Sequence, residues 1–463
     1  MLRQTIESLR KVRGLDMSTV MVLQDGTDDA VAALVREHGL YLKQNTDTPG
    51  LRGGPRPDRP HVDGAKRIAM HYKFSLDHAF EMRPDAPAVV IVEDDLLLSP
   101  DFLEYFEVNA PVLERDPTTL VLSAWNDNGY VGRVSDEREL MRTLFFPGLG
   151  WLLTRELFDE LRPKWPREHW DHWLREPAQH RGRECVFPEV PRTYHNGAQG
   201  TFMDQSTHER LFKNIMYQLH ESFSWKAGST PAYENAISEN YERKVEARIR
   251  QARHLNRLKA RHFKGQQLVM WYTLEHTEEN ARGRSTSTGP PFKPLSEYFG
   301  IWHEYKRGEH SGMHTLRWWN MNLMLINAAK SPYVKWKPAE LLPAPMNALH
   351  TGPTVAGPGE PECVSFGDDG GGTVVVVVGG WGGMTCKEST FYLLNSCVLL
   401  MDHFPCTKCS ESYGLEQPCY VEQDAPAENL PGQCLTSSHP SESKCSASHR
   451  LTRRLCPCTA AAR

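Results

Sequence analysis

Cysteine is nearly absent from the first three quarters of this 463-residue chain. Cys185 is the only cysteine before residue 360, and the other ten of the eleven lie between Cys363 and Cys458. Residues 1–350 therefore cannot contain an internal disulfide, so packing and hydrogen bonds must hold them together. This shortage does not decide the redox compartment.

A long hydrophobic run and an excess of basic residues are also missing. No stretch approaches the roughly 20 apolar residues that cross a bilayer as a helix, and the longest apolar run, at residues 374–378, is flanked by glycines. No cleavable signal follows Met1. The formal net charge of −5 argues against a nucleic-acid partner, which usually requires a basic face.

The chain does have enough apolar residues to form a core. Hydrophobic residues make up 40% and charged residues 24%, which excludes a chain that is disordered by composition. Short apolar or β-branched runs predict strands at 19–23, 88–92 and 120–123, and helical spacing predicts helices at 5–12, 30–38, 65–80 and, capped by Ser99, at 100–106. This alternation is typical of the α/β class and predicts a mostly parallel, three-layer sheet.

Composition divides the chain into three parts. Residues 1–235 carry the alternating pattern and are predicted to form the main domain. Residues 236–345 predict a smaller C-terminal part, with a charged helix at 239–262 and strands at 266–273 and 316–326. Residues 346–463 are rich in Gly, Cys, Ser and Pro without a period, which predicts a low-complexity, disordered tail.

The strongest chemical signal is the sequence VVIVEDD at residues 89–95. An apolar strand, expected to be buried on both faces, delivers Glu93, Asp94 and Asp95 to its carboxyl end, where open α/β sheets bind ligands. In an extended segment Glu93 and Asp95 point to one side, where they could meet a divalent cation that prefers oxygen ligands. A solvated acidic turn is the competing interpretation.

Three longer motifs decide between these interpretations. They are SAWNDNGY at 123–130, FFPGLGWLL at 145–153 and KWPREHWDHWLREPAQHRGR at 164–183. Together with VVIVEDD they resemble the alpha-1,3-mannosyl-glycoprotein 2-beta-N-acetylglucosaminyltransferase (N-acetylglucosaminyltransferase I) family and the related enzymes that act on protein O-mannose. The resemblance covers residues 2–345.

The resemblance implies a GT-A fold and an inverting transfer of N-acetylglucosamine from UDP-GlcNAc to O2 of a mannose on a glycoprotein N-glycan. Asp95 matches the family's Mn²⁺ ligand, and the cation would stabilise the charge that grows on the UDP leaving group. Glu93 matches the acid that contacts the donor sugar. Asp94 is expected near the ribose or the diphosphate.

Four further positions are implied around the nucleotide. Asp25, at the end of TVMVLQD, matches the family acid that binds uracil, and Ile68 and His71 match residues that line the uridine pocket. Thr201 falls where a donor-induced loop closes in the family. Without the resemblance, His71 would be interpreted as an ordinary histidine of a helix.

The acceptor side is implied by Asp171 in HWDHW, which matches the general base that takes a proton from the acceptor hydroxyl. Trp170 and Trp173 are expected to desolvate this carboxylate partly and raise its basicity. From spacing alone, core tryptophans and an acid at a helix start are the other interpretation. Arg183 matches an arginine of the donor and acceptor region, and Leu149 matches a residue packed near the donor sugar.

The chain departs from the family at its beginning. Met1 already lies in the helix that follows the family's first strand, so that strand, the membrane anchor and the stem are expected to be missing. Loss of a central strand would expose the edges of its neighbours, so we expect the chain as written to be marginal or inactive. The resemblance places the parent protein in the Golgi membrane, with its catalytic part in the lumen.

Three functions remain open from the sequence. The first is transfer to an N-glycan, and the second is transfer to protein O-mannose, towards which ECVFPEVPRTYH at 184–195 inclines. The third is a noncatalytic carbohydrate-binding protein. The presence of both Asp95 and Asp171 argues against the third, because a lectin needs neither a metal acid nor a base.

Overall fold

A computed structural model of the protein contains two compact units. The described residues are 1–46, 60–198, 200–255, 266–273, 292–318, 321–344, 362–366, 374–377, 384–386, 408–412, 419–421, 433–437 and 452–460. The first unit comprises Met1–Glu246 and Lys306–His310, and the second comprises Ala247–Tyr305 and Ser311–Arg463. The domain boundaries predicted from composition lie after residues 235 and 345, and they stay a prediction.

Helices and strands of the first unit confirm the α/β class. Its helices are α1 (Leu2–Leu9), α2 (Asp29–Glu37), α3 (Pro60–Met82), α4 (Phe102–Asn109), α5 (Pro111–Arg115), α6 (Arg155–Leu161), α7 (Trp170–Leu174), α8 (Pro177–His180), α9 (Gln205–Leu211) and α10 (Ser238–Gln251), the last of which runs into the second unit. Its strands are β1 (Met21–Asp25), β2 (Tyr41–Asn45), β3 (Ala88–Ile91), β4 (Leu96–Leu98), β5 (Thr119–Ser123), β6 (Leu140–Thr143), β7 (Trp151–Thr154), β8 (Glu184–Pro188) and β9 (Thr193–His195).

The largest sheet of the first unit has five strands in the order β3-β7-β5-β8-β6. Only β5 and β8 run parallel, and the other three neighbouring pairs are antiparallel. The prediction of a mostly parallel sheet is therefore wrong. Residues 124–150, which lead from β5 through β6 to β7, contain no helix, whereas a parallel neighbour of β5 would need a long crossover connection, usually a helix.

Strand β3, which precedes the acidic triplet, lies at the edge of this sheet. It pairs with β7 on one side, and within the described part of the chain no strand pairs with its other side. Val90 is 38% exposed, so the prediction that the strand is buried on both faces is wrong. An apolar run indicates a strand, but it does not indicate how many neighbours the strand has.

Two smaller sheets hold the ends of the segments that carry the candidate residues. Strands β1 and β2 are parallel, with Asp25 opposite Asn45. Strands β4 and β9 are antiparallel, with Leu96 opposite His195. Because β4 begins directly after the acidic triplet, its pairing with β9 brings residues from about 100 positions further along the chain to Asp95.

The second unit contains a four-stranded sheet in the order β10-β11-β13-β12. These strands are β10 (Arg253–Leu255), β11 (Gln267–Tyr272), β12 (Met313–Trp318) and β13 (Met321–Asn327), and helix α11 (Lys293–Phe299) contributes Leu295 and Phe299 to their core. The single strand predicted at 316–326 is therefore wrong, because β12 and β13 form an antiparallel pair. The charged helix predicted at 239–262 ends at Gln251, and residues 256–265 lie outside the described residues.

Short strands are the described part of the predicted tail. They are β14 (Glu362–Phe366), β15 (Val374–Val377), β16 (Met384–Cys386), β17 (Lys408–Ser412), β18 (Cys419–Val421), β19 (Gln433–Ser437) and β20 (Thr452–Ala460). Cys409 and Cys434 lie opposite each other in β17 and β19 and are disulfide-bonded. The remainder of the tail lies outside the described residues, so its predicted disorder stays a prediction.

Packing of the first unit places a free thiol in its interior. Cys185 is fully buried in a cluster with Val121, Leu153 and Phe158, and it forms no disulfide.

Helix α4 begins after Asp101, so the predicted N-cap at Ser99 is wrong. The backbone N–H of Ser99 instead donates to the backbone carbonyl of Arg192 at 3.0 Å. No helix among the described residues is long and apolar enough to cross a membrane.

Candidate active site

The acidic triplet forms a turn between β3 and β4. The backbone N–H of Leu96 donates to the carbonyl of Glu93 at 3.3 Å, and β4 then pairs with β9. The prediction of an extended segment with alternating side chains is therefore wrong at Asp94 and Asp95.

Glu93 is the most strongly perturbed acid of the triplet. Burial raises the pKa of its carboxyl from 4.5 to about 7, with the charges of Asp95 and Asp94 adding to this effect, while the hydroxyl of Tyr72 and the charge of His195 oppose it. The Tyr72 hydroxyl donates a hydrogen bond to Oε1 of Glu93. A carboxyl with this pKa can lose or hold its proton near neutral pH.

Asp95 and Asp94 occupy different surroundings. Oδ2 of Asp95 lies 3.2 Å from Nε2 of His195, and its Oδ1 is buried without a hydrogen-bond partner among the described residues. The backbone N–H of Asn196 donates to the Asp95 carbonyl at 2.8 Å. Asp94 is more exposed; partial loss of water and the charge of Asp95 both raise its pKa.

Helix α3 and strand β1 bring together the residues predicted for uridine. Nε of Arg67 donates to Oδ2 of Asp25 at 2.9 Å. The Arg67 side chain is 28% exposed and the Asp25 side chain is 24% exposed. His71 lies 3.0 Å from the carbonyl of Leu23 through Nε2, and burial lowers its pKa, so its imidazole is neutral at pH 7. Ile68 is partly buried and packs against the neighbouring hydrophobic core.

An aromatic cluster separates this region from Asp171. The Trp170 ring is buried and stacks on Tyr72, with ring centroids 4.1 Å apart. Trp170 also lies within about 6 Å of three further rings, those of Trp151, Trp165 and Phe146. Trp170 is therefore part of the core, as the interpretation from spacing alone expected.

Asp171 follows at the first turn of α7, and its side chain is 37% exposed. Nη1 of Arg175 donates to its Oδ2 at 2.7 Å, and Nε2 of His172 lies 3.9 Å from the same oxygen. The carboxylate is partly withdrawn from water, as predicted, but Trp170 packs into the core and more than a third of the Asp171 side chain stays exposed.

The remaining predicted site residues are Leu149, Thr201 and Arg183. The carbonyl of Leu149 accepts a hydrogen bond from Thr193 at 2.7 Å, at the beginning of β9. Thr201 is exposed and its methyl group packs against Gly64 at the start of α3. Both guanidinium ends of Arg183 donate to Glu160 at 3.0 Å, so contact with a substrate would require this ion pair to open.

Tyr72 connects the acidic triplet with the segment that carries Asp171. Burial raises the pKa of its hydroxyl well above the usual value, and the negative charges of Glu93, Asp171 and Asp95 raise this pKa further. The Tyr72 ring also stacks on Trp170, the residue directly before Asp171. Tyr72 directly follows His71, but an aromatic residue in a helix normally indicates core, so the sequence alone does not single it out as a site residue.

Two comparisons relate the chain to known proteins. Residues 1–313 match the GNT-I family. The chain is also 35% identical over 291 residues to a protein from Arabidopsis thaliana named alpha-1,3-mannosyl-glycoprotein 2-beta-N-acetylglucosaminyltransferase. This alignment covers 62% of the chain and 61% of that relative, so the chain spans about three fifths of the relative's length.

Proposed function

Because the chain belongs to the GNT-I family, we propose that the protein transfers N-acetylglucosamine from UDP-GlcNAc to O2 of a mannose on a glycoprotein N-glycan. The product is a β-1,2 linkage formed with inversion. The observation that carries this proposal is the contact of Tyr72 with both parts of the site: its hydroxyl donates to Glu93, and its ring stacks on Trp170, the residue directly before Asp171. Acids on the donor side and a separate carboxylate base on the acceptor side suit a single displacement.

The donor nucleotide is proposed to bind in a GT-A fold at the carboxyl end of β1. Asp25, which accepts from Arg67, is assigned to an N–H of uracil. The neutral imidazole of His71 and the side chain of Ile68 form the apolar side of the same pocket. Thr201, next to the first turn of α3, and Leu149 are assigned to the donor sugar.

A divalent cation, proposed to be Mn²⁺, suits the residues around Asp95. The buried Oδ1 of Asp95 lacks a hydrogen-bond partner among the described residues, and such an oxygen is costly unless a ligand satisfies it. The described residues contain no cluster of three or more metal-binding side chains, but hard cations are commonly held by one or two carboxylates and substrate phosphates. When bound, the cation supplies charge stabilisation for the departing diphosphate.

Within the site, the remaining acids have separate tasks. Asp171 takes the proton from the attacking mannose hydroxyl, and a water-accessible carboxylate can pass that proton to solvent. Glu93, held by the Tyr72 hydroxyl, orients the donor sugar through its hydroxyl groups. Asp94 is assigned to the ribose or the diphosphate, and Arg183 to the border of the acceptor region.

The acceptor and the cellular location are further parts of the proposal. The relative's name specifies a mannosyl-glycoprotein acceptor, which favours the N-glycan over protein O-mannose and over a noncatalytic carbohydrate-binding role. We place the activity in the Golgi lumen, with the protein attached to the membrane.

One experiment tests the whole proposal. The full-length protein is incubated with UDP-GlcNAc, MnCl₂ and either a mannose-terminated N-glycan or an O-mannosyl peptide, with and without EDTA, and β-1,2 products are identified by glycosidase digestion and mass spectrometry. We expect product from the N-glycan and none with EDTA. Transfer that persists in EDTA, or UDP-GlcNAc affinity that is the same in Asp95→Asn, overturns the proposal.

A further inference from the structure

We propose that Phe145, which contacts the guanidinium groups of both Arg175 and Arg307, is a positioning residue that holds Asp171 in the orientation needed for proton transfer. The proposal rests on the proposed function of Asp171 as the base. It also assigns a role to residues 125–128, the centre of the SAWNDNGY motif, which do not contact the acidic triplet in any described hydrogen bond.

Arg175 fixes the orientation of Asp171. Arg175 caps helix α7 and lies four residues after Asp171. Its Nη1 donates to Oδ2 of Asp171 at 2.7 Å, while its Nε and Nη2 donate to the carbonyl of Phe146 at 3.2 and 3.1 Å. A planar guanidinium used on both sides in this way fixes the direction of Oδ2, and we assign Oδ1 to the proton transfer.

The aromatic ring of Phe145 supports the guanidinium group of Arg175. Cζ of Arg175 lies 4.3 Å from the centroid of the Phe145 ring, and Cζ of Arg307 lies 4.6 Å from the same centroid. Each cation–π contact is worth about 0.5–1 kcal/mol at an exposed site and more when water is excluded. Two like charges on one ring would repel, but each is paired with its own carboxylate, Asp171 and Asp127.

Residues of the SAWNDNGY motif hold Arg307 in place. Nη1 of Arg307 donates to Oδ1 of Asp127 at 2.8 Å, and the indole N–H of Trp125 donates to the same oxygen at 3.1 Å. The side-chain amide of Asn128 donates to the carbonyl of Arg307 at 2.9 Å. Asp127 is only 5% exposed, so this side of the ring is held by buried, charge-assisted hydrogen bonds.

The glycine after Arg307 allows this approach. Gly308 has a φ of +69°, and a Cβ there would lie 2.8 Å from the amide nitrogen of Asn128. A side chain at this position would be strained and would push Asn128 away. The segment Lys306–His310 is therefore shaped to bring Arg307 to Phe145, and the contacts continue from Asp127 through Arg307, Phe145 and Arg175 to Asp171.

A positioning role predicts a specific kinetic signature. None of these contacts involves Asp25 or the acids at 93–95, so their loss should leave the donor site intact. Misplacing a catalytic group by about 1 Å can cost about 100-fold in rate. We therefore expect kcat to fall while the KM for UDP-GlcNAc stays nearly constant.

The test measures kcat and both KM values for Phe145→Leu, Arg175→Met and Arg175→Lys, with Arg167→Met, which changes an exposed arginine of the same region, as control. We expect kcat to fall about 10-fold for Phe145→Leu and up to about 100-fold for Arg175→Met, with partial rescue in Arg175→Lys and no change in the control. Thermal unfolding of each variant reports whether it is folded.

A double substitution separates positioning from general damage. If Phe145 acts through Asp171, Phe145→Leu has no further effect on the residual rate of Asp171→Asn, because the two effects are not additive. Normal kcat in Phe145→Leu and Arg175→Met, together with an inactive Asp171→Asn, overturns the inference and leaves the proposed function standing. Equal losses in both backgrounds, or a donor KM that rises as kcat falls, also overturn it. Full activity of Asp171→Asn overturns the base and the inference with it.

Discussion

Tyr72 donates its hydroxyl hydrogen to Glu93 while its ring lies on Trp170, the residue immediately before Asp171. One side chain of helix α3 thus contacts both the turn after β3 and the beginning of α7. The donor-side acid and the candidate base are supported by the same aromatic ring. Substitutions of Tyr72 therefore distinguish the part of its role that depends on the hydroxyl from the part that depends on the ring.

Tyr72→Phe keeps the ring and removes the hydroxyl. Glu93 then loses the hydrogen bond that lowers its pKa, so we expect this pKa to rise above about 7 and the carboxyl to be protonated more often at neutral pH. Loss of one hydrogen bond to a charged group is worth about 1.5–3 kcal/mol. We expect the Kd for UDP-GlcNAc, measured by calorimetry with MnCl₂, to increase about tenfold.

The matched control is Tyr41→Phe. The Tyr41 hydroxyl lies 2.8 Å from Nε2 of His78 at the surface, so this variant also removes one hydrogen-bonded hydroxyl. We expect its donor affinity to equal that of the unaltered protein. Equal affinities for all three proteins would show that Glu93 does not need Tyr72 to orient the donor.

Removing the carboxylate charge of Asp171 tests the proposed base. Asp171→Asn keeps the size of the side chain but cannot accept the proton, and general-base catalysis typically contributes about 10²–10⁴-fold. We expect kcat to fall by at least about 100-fold with an unchanged Kd for UDP-GlcNAc. Asp159→Asn, at an exposed position of α6, is the control and should keep full activity; transfer that survives in Asp171→Asn contradicts the assignment.

Local patterns explain which parts of this site could be predicted from the sequence. The runs of apolar residues placed β3 and β5 within one residue of their observed bounds, and VVIVEDD correctly indicated acids after a strand. Local patterns do not report the number of neighbours of a strand. For that reason the edge position of β3 and the turn at Asp94 were missed.

Contacts between distant residues explain the rest. Arg307 and Asp127 are 180 positions apart, and no spacing along the chain indicates that they meet. Tyr72 and Phe145 look like core aromatic residues in any pattern, because the residues that they contact are distant along the chain. The site therefore depends on tertiary contacts that hydrophobic periodicity cannot encode.

Buried carboxyls make stability depend on pH in a defined direction. Burial raises the pKa of Glu93 from 4.5 to about 7, so the folded protein binds this proton more tightly than the unfolded chain. The contribution to stability is fully present below about pH 4.5 and is lost as the pH rises through about 7. Its upper limit is about 3 kcal/mol, reduced because the side chain is only partly buried.

Glu93→Gln removes this titration. Relative to the unaltered protein, we expect the variant to gain stability as the pH increases from 5 to 8 in urea unfolding without divalent cations. Glu189→Gln is the control, because burial raises the pKa of Glu189 to about 7 as well, while its carboxylate accepts from the backbone of Ser135 and Asp136. Both variants should show the pH effect, but only Glu93→Gln should weaken UDP-GlcNAc binding; a variant that is equally destabilised at both pH values contradicts the assigned titration.

The pairing of β4 with β9 depends on a buried ion pair. Nε of Arg192 donates to Oδ2 of Asp101 at 2.7 Å, and both side chains are fully buried. The indole N–H of Trp225 donates to the same oxygen at 2.8 Å. The backbone carbonyl of Arg192 accepts a hydrogen bond from the backbone N–H of Ser99, so the ion pair adjoins the end of the β4–β9 pairing that begins next to Asp95.

Asp101→Asn leaves the Arg192 guanidinium buried without its counter-charge. Breaking one side of a buried pair typically costs about 3–5 kcal/mol, so we expect a loss of this size in the free energy of opening measured by hydrogen exchange of the β4 and β9 amides. Glu37→Gln is the control, since its pair with Arg3 is more than half exposed and exposed pairs contribute about 0–1 kcal/mol. If the two substitutions cost the same, Arg192 is not held by Asp101 but by its backbone partners, the carbonyls of Val190 and Glu137.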